Sequence, residues 1–152
     1  MLNARWFQGL RIFLVWLIGF VLAMVIMFLW HELLMVFVVN TLHADRYVAP
    51  LVHILYYLIA GLIWVMYFLL SKEYLNRFAE KGMLVIGTLR IIGVQLLIIA
   101  TGQVGMLVYG FLPADRLSIL LMAAEGAGGA GMLILAGRLK AVLPGDDAKK
   151  NP

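Results

Sequence analysis

Glu125 stands alone in an apolar stretch, LSILLMAAEGAGGAGMLILAG, eight residues after that stretch begins. A charged carboxylate at the centre of a bilayer costs roughly 3 kcal/mol on translocon scales, so such a group is protonated, paired or close to water. It is therefore a candidate for proton or cation exchange. The plainer alternative is a hydrogen bond that fixes helix register or meets a partner subunit. The preceding apolar stretch offers Gln95, Thr101 and Gln103 as hydrogen-bonding partners and Arg90 as a counter-charge. Arg90 can equally extend its side chain toward lipid headgroups.

The residues after Glu125 matter for packing. Gly126, Gly128, Gly129 and Gly131 remove side-chain bulk over more than a helical turn, which admits a second helix or a flat cofactor at close range. Gly93 and Ala100, seven residues apart, offer a matching small face, and Gly102 and Gly105 continue small positions outward. A tight pairing of the last two helices is expected.

His31 and His53 fall in separate apolar stretches, both on the outer side of their spans. Two imidazoles from neighbouring helices are the usual way to hold a b-type haem, and they would suit a chlorin metal as well. Ala49, one turn before His53, leaves room for a macrocycle; Met27, at the equivalent place before His31, does not. Otherwise such histidines make hydrogen bonds or face headgroups. Glu32 next to His31 suggests proton delivery to a quinone, but neighbours on a helix diverge by about 100°, so the two are not expected to face one small ligand. Trp16, Trp30, Tyr56, Tyr57, Trp64 and Tyr67 could line a pigment or lipid pocket, or simply pack and touch lipid.

Other chemistry is excluded. With no cysteine there is no disulfide, thiolate nucleophile or iron–sulfur ligand. There is no phosphate-binding glycine loop ending in Lys-Ser or Lys-Thr, no HExxH zinc pattern and no Ser-His-Asp set on one face. The nine methionines are scattered, as packing residues are. An enzyme is not the expected class.

The elements that must position these residues follow from composition. Of 152 residues 64% are hydrophobic and 13% charged, against about 25% charged in soluble domains. At roughly 20 apolar residues per crossing, the chain has room for four or five spans and no soluble domain. The expected fold is an all-α integral membrane bundle of four transmembrane helices in two hairpins. The spans are about 11–40, 48–70, 83–110 and 115–138, followed by a cytoplasmic tail, 139–152. The first helix would be about 45 Å long, beyond the roughly 30 Å hydrocarbon core, so it must tilt or project. SKEYLNRFAEKG, residues 71–82, carries charges of both signs with Tyr74, Leu75 and Phe78 at helical spacing, which reads as a short amphipathic interfacial helix between helices two and three.

Nine Lys and Arg residues fall on one side of these spans and two, Arg46 and Arg116, on the other, so both termini are expected inside. The net charge of +4 thus reflects topology and anionic lipid, not nucleic acid. LHADR (42–46) and LPADR (112–116) echo each other in the two outer turns, where Asp45 and Asp115 would cap outgoing helices.

Three functions fit these residues. The first is a non-enzymatic subunit of a larger complex in a bacterial cytoplasmic membrane, possessing no complete site of its own and packing with other subunits or copies of itself, with electron transfer or energy conversion as the kinds of complex it would suit. The second is an electron-transfer subunit whose His31 and His53 ligate haem or chlorin. The third is a small proton-coupled transporter working through Glu125.

Overall fold

The computed structural model describes residues 2–42 and 47–142, with side chains from Trp6 onward. His43, the expected cap at Asp45, and the tail beyond Val142 lie outside the described residues. Four helices account for almost all the rest: α1, Leu2–Val36, which ends in a π-helical turn, Phe37–Thr41; α2, Val48–Glu80; α3, Leu84–Val108; and α4, Arg116–Val142. All four are long and apolar enough to cross a membrane. Large apolar side chains such as Leu58, Leu62 and Leu120 stay exposed along their length, as suits a multi-pass membrane protein.

Helix α2 departs from the expected pattern. Residues 71–80 are not a separate interfacial helix but its uninterrupted last turns. Nothing between Leu70 and Ser71 breaks a helix, the following residues are mostly good helix formers, and Arg77 Nε donates to Glu73 Oε1 at 2.9 Å one turn away. Ser71, Leu75 and Ala79 form its buried face. Gly82 ends the run at φ +68°, with Met83 N–H reaching Phe78 O and Gly82 N–H reaching Ala79 O. Gly110, at φ +76°, ends α3 the same way, with Phe111 N–H on Met106 O. Both are left-handed C-terminal stops in which glycine is free of the Cβ clash.

The helices alternate in direction. α1 packs between α2 and α3, while α4 packs on α3. The α3–α4 contact is the most extensive and the closest: a Cβ built on Gly93 would lie 3.0 Å from Gly129 O, and one on Gly129 would lie 2.8 Å from Gly93 O. On its other side α3 takes the leucines of α1, since Leu29 covers Gly102 and Leu33 covers Gly105. α1 and α2 are joined by an aromatic zipper in which Trp16 meets Phe68 with ring centroids 4.4 Å apart and Phe20 meets Trp64 at 4.7 Å. Trp16 Nε1 also donates to Phe68 O at 3.2 Å. α2 touches α3 near their connecting turn, where Phe78 lies on Gly87. Because antiparallel neighbours alternate, Arg11, Lys72, Arg77, Lys81, Arg138 and Lys140 all fall at the end holding that turn, which we call the basic end.

Asp115 caps α4, accepting the Ser118 amide at 2.8 Å. Hydrogen bonds from the side chain and then the amide of Ser118 hold its carboxyl below the usual carboxylate range. A carboxyl depressed in this way contributes stability above its unfolded value, near pH 4, and loses it as pH falls through the folded value. Asp115→Asn keeps a capping acceptor. It is expected to remove the acid-dependent fraying of the first turn of α4, measured by amide hydrogen exchange as pH is lowered. Gly93→Leu is expected to destabilise the α3–α4 hairpin by about 1–3 kcal/mol, the usual cost of overpacking. Gly61→Leu, where a Cβ meets nothing within 4 Å, should leave the detergent melting temperature close to that of the parent.

Candidate functional site

At the end opposite the basic end, α1 and α2 bring three titratable groups into a line. His31 is 6% exposed, and its Nε2 lies 2.9 Å from His53 Nδ1. Its Nδ1 lies 3.3 Å from Glu32 Oε1, whose side chain is 64% exposed. The rings of the two histidines are nearly perpendicular, at 82°, with centroids 4.7 Å apart. Tyr57 stacks on His31 at 4.7 Å and 30°. Tyr56 Oη donates to Met27 O at 2.6 Å and ties this part of α2 to α1.

One tautomer assignment satisfies the whole line when Glu32 is ionised: His31 Nδ1–H donates to Glu32, leaving His31 Nε2 to accept from His53 Nδ1–H. His53 Nε2 is then the open acceptor. A proton arriving there can pass by successive hydrogen bonds through His31 to the exposed carboxylate. Neighbouring helix residues still diverge here, His31 being buried while the Glu32 side chain is 64% exposed; only the length of that side chain brings its carboxylate to the edge of the His31 ring. Helical side chains lean toward the N-terminus, so Glu32 folds back over the preceding residue.

His31 and His53 do meet, but in a way that does not fit haem or chlorin as placed. Metal–nitrogen bonds of about 2 Å put two trans ligands roughly 4 Å apart, with a macrocycle between them. A direct 2.9 Å hydrogen bond leaves no such space. Among the described residues no group of three or more acidic or imidazole side chains could hold a metal ion.

Glu125 sits partly exposed on α4, and its Oε2 is enclosed with no hydrogen-bond partner among the described residues. None of the four expected partners reaches it. Gln95 Nε2 donates instead to Gly19 O at 2.7 Å and to Tyr67 Oη at 2.9 Å. Thr101 bonds back to Leu97 O in its own helix, and the Arg90 guanidinium lies 6.0 Å from the centre of the Phe78 ring. Gln103 makes no side-chain hydrogen bond among the described residues. Gln95 is about 200° around α3 from Gly93, so a helix that shows Gly93 to α4 shows Gln95 to α1 and α2.

The glycine-rich face also divides. Gly93 and Gly129 are in backbone contact, and a Cβ on Gly126 would meet Ala100 at 3.8 Å, whereas Gly128 and Gly131 have nothing within 4 Å. Gly102 and Gly105 face α1, not α4. Sequence reasoning did not single out the junction of Gln95, Tyr67 and the Gly19 carbonyl. Its signal was an amide in the middle of an apolar helix, where a partner is obligatory.

His53→Ala leaves the enclosed Nε2 of His31 unpaired and is expected to cost about 1–3 kcal/mol, while removing both partners with His31→Leu and His53→Leu costs less than the sum of the single changes. A double-mutant cycle on unfolding in detergent measures this coupling. Comparison with protein-family models, curated proteins and solved structures gives no match to this chain.

Proposed function

We propose that this chain is a non-enzymatic, multi-pass subunit that lends helix faces to a larger assembly in a bacterial cytoplasmic membrane, in an electron-transfer or energy-converting complex. The observation that carries this reading is the outer face of α4. There Ala124, Ala127 and Gly131 are exposed, Gly128 is partly so, and neither glycine has a neighbour within 4 Å. Lipid tails are as apolar as leucine, so helices in a bilayer associate where small residues let backbones approach. The contact of Gly93 with Gly129 is this kind of packing on the inner face of the same helix. Glu125, partly exposed on α4, supports the same reading, because a carboxyl in hydrocarbon needs a partner and a neighbouring subunit can supply one. The gathering of basic residues at one end supports N-in, C-in orientation by the positive-inside bias.

Purification of the full chain from its native membrane in mild detergent tests this. A particle several times the mass of the 17.0 kDa chain is expected. Gly131→Leu should reduce it toward the single chain without lowering that chain's own melting temperature. An unchanged particle mass in Gly131→Leu, or a monomer from the start, sinks the proposal. A Soret or chlorin band in the particle, lost in His31→Ala and His53→Ala, would show the imidazole pair opening around a metal and would replace this reading with electron transfer by the chain itself.

A further inference from the structure

We infer that His31 and His53 form a site for a divalent transition-metal ion, Cu2+ before others, in which the two imidazoles are adjacent ligands and Glu32 holds the first of them in place. The site belongs to α1 and α2, so it does not depend on what α4 packs against.

A haem iron needs its two imidazoles on opposite sides, but a bare ion can take them side by side. Metal–nitrogen bonds of about 2.0–2.1 Å meeting at a right angle put the nitrogens about 2.9 Å apart, whereas a tetrahedral angle puts them about 3.3 Å apart. His31 Nε2 and His53 Nδ1 are 2.9 Å apart. The right-angled spacing is thus already present. The ring centroids, 4.7 Å apart, are closer than two imidazoles meeting head-on across that distance would be. The pair is therefore tilted off the line between its nitrogens, as neighbouring ligands of one ion are.

The far edge of His31 meets a second requirement. A ligating imidazole almost always donates its other N–H to a carboxylate, carbonyl or water, which fixes the tautomer and raises the basicity of the ligating nitrogen. Glu32 Oε1 stands 3.3 Å from His31 Nδ1, so the proton belongs there and the Nε2 lone pair faces His53. His53 has only to move its proton from Nδ1 to Nε2, a change between neutral tautomers, for both facing nitrogens to present lone pairs. The stacking of Tyr57 on His31 holds the plane of that ring.

His53 is exposed and lies five residues, about 7.5 Å, from the first residue of α2. That gives an ion an approach from the end of the bundle. No third acidic or imidazole side chain joins the pair among the described residues, so water fills the remaining positions. Two nitrogens at a right angle with oxygens elsewhere make the tetragonal set of Cu2+ or Ni2+, and Cu2+ binds most tightly of the first-row divalent ions. Mg2+ and Ca2+ take oxygen ligands and are poorly matched.

The test adds Cu2+ alone to the full chain in lipid nanodiscs and records its electron paramagnetic resonance. One Cu2+ per chain is expected, with hyperfine splitting from two imidazole nitrogens. The ion should also raise the melting temperature of the chain, because only the folded pair binds it, and Mg2+ at the same concentration should not. His53→Ala should lose both the two-nitrogen splitting and the thermal shift. Glu32→Gln keeps an acceptor for His31 Nδ1–H but removes the charge, so it should retain the two-nitrogen spectrum while weakening binding about 10- to 100-fold. A copper spectrum unchanged in His53→Ala marks adventitious binding and overturns the inference. So does a parent spectrum with fewer than two imidazole nitrogens, or binding by Glu32→Gln as tight as by the parent.

Discussion

In hydrocarbon a helix gains little by burying leucine against its neighbour, because lipid offers the same contact; backbone approach is what separates a bound helix from a free one. Helix α3 satisfies this on two faces at once. Gly93 meets Gly129 of α4 backbone to backbone, and Gly102 and Gly105 receive Leu29 and Leu33 of α1. The arrangement of the other helices follows from this double contact. With both faces of α3 taken, α2 packs mainly on α1 and reaches α3 near their connecting turn and through the Tyr67 hydroxyl at Gln95.

The polar groups inside the bundle act where glycines do not. Trp16, Tyr56 and Gln95 each donate to a main-chain carbonyl on another helix, at Phe68, Met27 and Gly19. These carbonyls already serve their own helices, and a second lone pair takes the extra donor without breaking the ladder. Such bonds fix rotation and register where leucine packing is permissive. Three polar atoms, Trp64 Nε1, Gln95 Oε1 and Glu125 Oε2, are enclosed without partners among the described residues.

The histidine line and a crevice lined by α1, α2 and α3 share the α1–α2 interface. Tyr56 takes part in both, lining the crevice while lying 5.2 Å from the His31 ring. The histidine line ends on an exposed carboxylate, whereas the crevice is lined almost wholly by apolar side chains. The free face of α4 is remote from both, because α4 packs on α3.

Hydropathy alone determined the number of helices and, through their length, the class of protein, because a backbone in lipid must satisfy itself within each segment. Asp115 was legible as a cap, since capping is local in sequence. So was the pairing of α3 and α4, from Gly93, Ala100 and the glycine run. The continuity of α2 through residues 71–80 was hidden by its change from apolar to charged residues, which marks a change of surroundings and not of backbone. Tertiary structure decided what each polar group meets. Gln95 was assigned to Glu125 because both lie in mid-helix, yet angular position on α3 sends it to Gly19 and Tyr67. Glu32 and His31 diverge as helix neighbours do, one exposed and one buried, and still touch through the length of the Glu32 side chain. Composition and period describe one helix at a time, whereas rotation about the helix axis is set by the neighbours that pack against it. That rotation chooses the partners of every side chain that could do chemistry here.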